Sequence, residues 1–195
     1  MYPKSFQRLI KNLSSLPSIG PKHAERLVLY LFKKNADEIK EFAENLLDIK
    51  NLQFCKKCNN ISEGENCQIC KDTKRDHSII CVVEDPLDVI SIERTRVFQG
   101  IYHVLGGVMT ATDKDSTLKI PELIQRIQSE ETKEVILATN PTTEGDTTSL
   151  YLKRKLSPLG IKISRLGRGL STGADLEYTD ELTLSEALTN RKELL

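Results

Sequence analysis

Four of the five cysteines in the chain fall within sixteen residues, as the pairs Cys55/Cys58 and Cys67/Cys70. Each Cys-x-x-Cys pair can present two thiolates from one tight turn, and four thiolates match tetrahedral Zn²⁺ with bonds of about 2.3 Å. The segment between the pairs is polar and too short to form an apolar core, so metal ligation would supply most of its folding energy. We therefore predict a closed, structural zinc site with these four ligands.

Two other chemistries are open to the same cysteines, namely a pair of disulfides or a redox-active Cys-x-x-Cys. The doubled spacing in an intracellular chain favours zinc over both. His77 lies close in sequence, but four cysteines already complete the coordination, so we interpret His77 and His23 as surface residues. Cys81 lies inside an apolar run and is predicted to be a small core residue.

The residues before the cysteines predict two short helices joined by a tight hairpin. Apolar positions recur at helical spacing over Ser5–Leu13 and again over His23–Phe32. The linking segment, Leu16–Lys22, contains Gly20, which suits a tight turn, and Pro21, which suits the first turn of a helix. This pattern resembles a helix-hairpin-helix motif.

In that motif the hairpin and the start of the next helix offer backbone N–H groups to DNA phosphates. Unpaired amides and the positive end of the helix dipole attract an anion, and Lys22 and Arg26 lie one turn apart. Together with Gly20 and Lys11, they are our candidate DNA-binding residues, and such contacts read the backbone and not the sequence. The alternative is an ordinary helical hairpin with a solvated basic face.

Charge is balanced over the chain, with 28 basic and 28 acidic residues, but it is not evenly distributed. Within residues 1–34, seven basic residues face a single acid, Glu25, which gives a net charge of +6. This asymmetry indicates a local anionic partner such as a phosphate backbone. No apolar run approaches the ~20 residues that cross a membrane, and the first residues lack a signal-peptide pattern, so we expect a cytoplasmic protein.

After the cysteines, apolar β-rich runs alternate with helical segments, which predicts a mostly parallel, doubly wound sheet. A further helix precedes the cysteines, and a polar stretch, Thr110–Lys119, is predicted to be a mobile loop. Thr183 and Glu186 form a capping-box pattern before the last helix. The predicted strands are Ser78–Glu84, Ile101–Leu105, Glu134–Ala138 and Ile161–Ser164; the predicted helices are Asp37–Lys50, Pro86–Arg94, Ile120–Gln128, Thr147–Leu156 and Leu184–Lys192.

Three acids follow the predicted strands: Glu84 ends the first strand, and Glu144 and Asp146 follow the third. Ligands bind beyond the carboxyl ends of strands in a parallel sheet, and clustered carboxylates hold Mg²⁺ near phosphates. The Gly106-Gly107 pair ends the second strand and, without side chains, would let a backbone come close to the same edge of the sheet. The pattern predicts a Mg²⁺-binding or partner-binding edge, and the alternative is three separately solvated acids. Arg165 and Arg168 could be a second phosphate contact or part of a subunit interface.

Over nearly its whole length the chain resembles the RecR family of bacterial recombination mediators. The resemblance implies a helix-hairpin-helix domain over residues 1–52, a four-cysteine zinc finger over 53–76, a Toprim domain over 77–170 and an assembly segment over 171–195. The segments that carry it are Leu16–Lys22, the four cysteines, Val82–Pro86, Tyr102–Gly107, Ala138–Gly145 and Gly173–Tyr178.

In other Toprim domains a strand-end Glu and an Asp-x-Asp pair bind Mg²⁺. Glu84 matches that Glu, whereas Glu144-x-Asp146 is an altered form of the pair, and family members usually carry a second Glu at position 146. The resemblance implies a non-catalytic DNA-binding mediator: a ring-shaped oligomer, a tetramer, that acts with RecO and RecF to place RecA on gapped or single-stranded DNA. The acidic edge would then dock a basic partner such as RecO.

Two other functions remain open from the residues. One is a Mg²⁺-dependent nuclease or topoisomerase-like enzyme built on Glu84, Glu144 and Asp146, which for strand passage would also need an activated tyrosine. The other is a structural zinc adaptor that does not contact DNA.

Overall fold

A computed structural model describes residues 2–110, 118–191 and 193 of the chain. The chain divides into two compact units, Met1–Leu52 and Gln53–Leu195. We refer to them as the helical unit and the α/β unit. The predicted loop Thr110–Lys119 lies for the most part, at 111–117, outside the described residues, as does the predicted end of the last helix at Lys192.

The helical unit consists of α1 (Lys4–Ser14), α2 (Pro21–Phe32) and α3 (Ala36–Asp48), and a 3₁₀ turn follows α3. A reciprocal capping box between Asn35 and Glu38 fixes the start of α3, since each residue's side chain accepts the other's backbone N–H. These bounds lie close to the predicted helices.

The α/β unit contains a two-stranded hairpin and a four-stranded sheet. The hairpin pairs β1 (Gln53–Phe54) with β2 (Ile61–Ser62) and leads to the one-turn helix α4 (Gln68–Lys71). The larger sheet is parallel throughout, in the order β4-β3-β5-β6. Its strands are β3 (Asp76–Val83), β4 (Gly100–Val104), β5 (Glu134–Leu137) and β6 (Lys162–Arg165).

Helices cover both faces of this sheet, as predicted. They are α5 (Pro86–Glu93), α6 (Ile120–Ser129) and α7 (Thr143–Leu156), and α8 (Glu181–Thr189) follows the sheet. Alternate residues of β3 point to opposite faces. Ile80 and Val82 join a core cluster with residues of α6 and α7, whereas Cys81 and Val83 pack with Val89 of α5.

Two helix starts differ from the sequence prediction. Helix α7 begins at Thr143 and not at Thr147, because the Thr142 hydroxyl accepts the Gly145 N–H at 3.1 Å and caps the helix there. Helix α8 is capped by Asp180 and not by Thr183; the Asp180 carboxylate accepts the Thr183 N–H at 2.9 Å. Within the described residues, no helix has the length and apolar character to cross a membrane.

Candidate metal centre, DNA-binding hairpin and acidic edge

The four cysteines form one buried cluster. Their sulfur atoms all lie within 4.8 Å of one another, and the Cys58 and Cys67 sulfurs are 3.5 Å apart. Tetrahedral ligands at about 2.3 Å from a zinc ion are separated by just under 4 Å, so the arrangement fits Zn²⁺. All five cysteines of the chain are free of disulfides, which excludes the disulfide alternative in this structure.

Local backbone geometry presents these sulfurs. The β1–β2 hairpin carries Cys55 and Cys58, and Cys67 stands immediately before α4, which carries Cys70. The Cys67 N–H donates to the Cys55 sulfur at 3.3 Å, a charge-assisted bond when the sulfur is a thiolate. Asn59 follows the first pair at φ 60°, a left-handed conformation that Asn tolerates better than most residues.

The metal centre is joined to the edge strand of the parallel sheet. The Val104 N–H of β4 donates to the Cys58 carbonyl at 2.8 Å, so the metal centre covers the free edge of β4. Arg126 of α6 is buried and donates to the Tyr102 carbonyl at 2.8 Å and to the Lys57 carbonyl at 3.4 Å. The zinc centre is therefore part of the α/β unit and is not a separate appendage.

His77 and Cys81 were also assigned from the sequence, and the structure places both outside the four-sulfur cluster. His77 is half-buried and bonded through Nε2 to the Asp72 carbonyl at 2.9 Å, so it lies closer to the interior than predicted. It lies outside the four-sulfur cluster. Cys81 is buried in β3, and burial raises the pKa of its thiol to about 12, which suits an unreactive core residue.

The hairpin between α1 and α2 differs in one respect from the sequence interpretation. The left-handed residue is Ser18, at φ 64°, whereas Gly20 has an ordinary φ of −79° and precedes α2 as its N-cap. A Cβ at Gly20 would meet nothing within 4 Å. The turn therefore does not require glycine at position 20 for its own geometry. Close approach of a DNA backbone would be a separate reason for glycine at this position.

The start of α2 is suited to bind an anion. Its N-terminus has no side-chain cap and no acid in the first turn, and Pro21 occupies the first helical position. Lys22 and Arg26 are exposed, as are Gly20 and Lys11, and Lys22 and Arg26 form no ion pair with the residues that the structure describes. Lys4, Arg8 and Lys11 line one shallow depression on α1.

Glu84 lies at the carboxyl edge of the sheet and connects the segments that follow β3, β4 and β5. Its carboxylate accepts both the Asn140 N–H at 2.7 Å and the Asn140 side-chain amide at 2.6 Å. Its carbonyl accepts the N–H groups of Gly106 and Gly107, each at 3.0 Å. The two glycines have φ of 83° and 145°, so this close approach depends on the conformational freedom of glycine.

Glu144 and Asp146 lie in the first turn of α7. Gly145 between them leaves no room for a side chain, because a Cβ there would stand 2.1 Å from the Asn140 carbonyl oxygen. Asp146 binds the guanidinium groups of Arg165 and Arg168, which hold the pKa of its carboxyl below the usual value, with Arg168 the larger influence. Glu144 is exposed. Among the described residues, the four cysteines are the one group whose metal-binding atoms converge.

Tyr102 and Tyr151, two of the tyrosines available for strand passage, are packed into the α/β unit. Tyr102 is buried, and its hydroxyl donates to Glu93 at 2.6 Å. Burial and the Glu93 carboxylate both raise the pKa of this phenol, which makes the phenolate harder to form. Tyr151 is half-buried on α7, with the Lys155 ammonium 5.2 Å from its ring centre.

Four family models match the chain in succession. They are the RecR helix-hairpin-helix over residues 6–50, the RecR four-cysteine zinc finger domain over 52–72, a Toprim domain over 78–167 and the RecR C-terminal model over 169–192. The Recombination protein RecR of Staphylococcus aureus strain Mu3 is 46% identical over 196 residues, which covers 99% of each chain. That of Staphylococcus haemolyticus matches with the same identity and coverage.

The chain belongs to the RecR family. This confirms the resemblance drawn from the motifs, the α/β fold with its helical N-terminal part, and the four-cysteine zinc-binding centre. The assigned roles of the individual DNA-binding and acidic residues remain predictions.

Sequence reasoning missed Arg126 and the role of Asn140, and it named Arg165 and Arg168 without predicting that they pair with Asp146. Arg126 lies on a helix face whose pattern resembles that of any amphipathic helix, and its pairing with backbone carbonyls leaves no trace in the sequence. Arg165 could have been placed, since it ends the strand beside β5 and so shares an edge with the acids after β5. Arg168 and Asn140 lie in irregular segments, where spacing gives no such signal.

Proposed function

We propose that the chain is a DNA-binding recombination mediator in DNA repair. It acts with RecO and RecF to place RecA on gapped or single-stranded DNA, as a ring-shaped tetramer in the cytoplasm. Family membership supports the recombination role. The observation that carries the DNA-binding part is the uncapped start of α2, where Lys22 and Arg26 are exposed without an acidic partner among the described residues.

Phosphate contact at this site follows from simple electrostatics. Pro21 has no N–H, and the His23 N–H donates to the Gly20 carbonyl at 3.0 Å. The attraction for a phosphate therefore comes mainly from the positive end of the helix dipole and from the two cations, which lie one turn apart. A single subunit offers few such contacts, but a ring repeats them around the DNA, so that avidity replaces a large individual interface. Binding of this kind is independent of base sequence.

Exposed apolar residues on both units support assembly into an oligomer. The helical unit leaves large side chains in solvent, including Phe32 and Leu47, at 76% and 71% exposure. The segment after the sheet does the same at Tyr178 and Leu182. Apolar surface of this extent on a monomer marks an interaction site, and we assign it to contacts between copies of the chain, including an assembly segment at 171–195.

We assign the remaining domains as a helix-hairpin-helix part over 1–52, a zinc finger over 53–76 and a Toprim part over 77–170. The zinc centre stabilises the edge of the sheet. Glu144, which is exposed at the acidic edge, is the best placed carboxylate to contact a basic partner such as RecO. Mg²⁺ at Glu84, Glu144 and Asp146 is a prediction from the sequence that this function does not need.

The experiment is single-stranded DNA binding as a function of salt, with the protein mass measured by light scattering on the same sample, with and without Mg²⁺. We expect an oligomer whose affinity falls steeply with salt, since counterion release dominates phosphate binding. Lys22→Glu plus Arg26→Glu should lower the affinity at least about tenfold without changing the mass, because two phosphate contacts per subunit become repulsive.

The matched control is Lys153→Glu plus Arg154→Glu, the same charge reversal on the exposed last turns of α7. Equal losses in both variants would show that only net charge matters and would remove the hairpin from the proposal. A monomer that cleaves or relaxes DNA in Mg²⁺ would replace the mediator by the Toprim-type enzyme.

A further inference from the structure

Asp146 is the most heavily paired carboxylate at the acidic edge. Arg168 donates from Nη1 to Oδ2 at 3.3 Å and from Nη2 to Oδ1. Arg165 donates to the same Oδ1 through its Nη2. One negative charge is therefore held by two guanidinium groups, and both carboxylate oxygens are used in hydrogen bonds.

The fold brings these residues together from adjacent strands. Arg165 ends β6 and is paired in register with Leu137 of β5, while Asp146 lies in the first turn of α7, which follows β5. Arg168 comes three residues later, and its carbonyl accepts the side-chain amide of Asn190 at 3.3 Å. Arg168 thus links the sheet edge to the segment at the end of α8.

The other two acids do not complete a metal site. Glu84 uses one carboxylate oxygen for the Asn140 N–H and the other for the Asn140 side chain. Glu144 is exposed, and within the described residues the three carboxylates form no group whose oxygens converge within 4.8 Å. Magnesium needs near-octahedral oxygens at about 2.0–2.1 Å, so these acids do not fit it as they stand.

We propose that Arg165 and Arg168 neutralise the charge of Asp146, as a divalent cation does in metal-dependent Toprim domains. The charge of Asp146 is neutralised by side chains of the chain itself, and Mg²⁺ is excluded because it would lie beside two fixed positive charges. The same ion pairs fix the point at which the C-terminal segment leaves the sheet. This proposal does not depend on DNA binding, so its failure and that of the mediator function are distinguishable.

The test is titration of the zinc-loaded, full-length protein with Mn²⁺, with free Mn²⁺ followed by electron paramagnetic resonance. The unchanged protein should leave Mn²⁺ free up to about 1 mM, because Asp146 is already paired with Arg165 and Arg168. Arg165→Gln plus Arg168→Gln should gain a binding site with an affinity at least about tenfold higher, since two repelling charges are gone. Adding Asp146→Asn should remove that site again.

Lys153→Gln plus Arg154→Gln is the matched control, because it removes two positive charges from exposed positions toward the other end of the same helix. A gain there equal to that of the Arg165/Arg168 variant would overturn the proposal, as would no gain in the Arg165/Arg168 variant. Tight Mn²⁺ binding by the unchanged protein that Asp146→Asn abolishes would overturn it as well. If the double variant does not fold, the same titration is made with Arg165→Gln and Arg168→Gln separately. No gain in Mn²⁺ affinity in either single variant would then overturn the proposal.

Discussion

The helical unit and the α/β unit differ in how much apolar surface each can bury by itself. Within the described residues, Ala24 and Val28 are the hydrophobic side chains that the helical unit buries fully. The α/β unit has a continuous apolar cluster on each face of its sheet and a third around the four cysteines. The first unit has one layer of helices, whereas the second has a sheet between helices.

This difference shows where each unit obtains its stability. A helix buries one stripe and needs another surface against it, whereas a sheet covered on both faces forms two cores from the same strands. The α/β unit should therefore be stable through its own packing and its metal. The helical unit should depend on a covering surface, which the proposed oligomer would provide.

Removal of zinc should have the largest effect on stability, and this effect should be on the α/β unit. Cys58→Ala deletes one ligand, and we expect a loss of more than about 4 kcal/mol in the free energy of unfolding, because structural zinc sites fold with their metal. In a chain of this size that corresponds to a fall of about 10 °C or more in Tm. Circular dichroism melting and zinc content by mass spectrometry would measure both effects.

The matched control is Cys81→Ala, which removes a buried cysteine of β3 that is not part of the four-sulfur cluster. It should retain the full zinc content and lose only about 1 kcal/mol, the cost of a small cavity. If Cys58→Ala were as stable as Cys81→Ala, the metal centre would not support the sheet edge, and the contrast between the two units would rest on packing alone.

A buried histidine gives the α/β unit a pH dependence of its own. His103 in β4 donates from Nε2 to the Lys119 carbonyl at 2.8 Å, and its Nδ1 is buried without a partner within the described structure. Burial lowers the pKa of its ring to about 4; the hydrogen bond to the Lys119 carbonyl and the Glu122 carboxylate oppose this shift, whereas the nearby cations Arg126 and Lys119 add to it.

The unfolded chain takes up a proton on this ring below about pH 6.5, whereas the folded chain does so only near pH 4. Stability should therefore fall as the pH falls from about 6.5 to about 4, by roughly 3 kcal/mol from this group. His103→Gln, which keeps a donor for Lys119, should flatten that part of the profile in urea unfolding. His23→Gln, at an exposed position of the helical unit, is the control, and an equal flattening there would contradict the assignment.

The regular parts of both units could be predicted from the sequence because periodicity reports burial directly. All four parallel strands lie within a few residues of their predicted positions, and the four-cysteine cluster is confirmed by its geometry. The start of α7 was misplaced because Thr142, and not the residue before Thr147, supplies the cap. Of the ion pairs of Asp146, the one with Arg165 could have been inferred from the shared edge of the sheet. Arg168 lies in an irregular segment, whose position no sequence pattern predicts.

The smallest predicted effect is in the helical unit, at the one left-handed residue of its hairpin. Ser18 has φ 64°, a conformation that costs an ordinary residue about 1–2 kcal/mol, whereas glycine adopts it without strain but loses more entropy on folding. Ser18→Gly should therefore stabilise this unit by about 0.5 kcal/mol, measured as a higher denaturation midpoint by circular dichroism at 222 nm.

Asn59→Gly makes the corresponding change in the α/β unit, where φ is 60°. Asparagine tolerates this conformation, and the Asn59 side-chain amide donates to the Val104 carbonyl at 3.3 Å, so glycine there should bring no gain. A gain at both positions would mean that strain limits the two units equally. A gain at Ser18 alone is the expected result, because asparagine tolerates the left-handed conformation better than serine does.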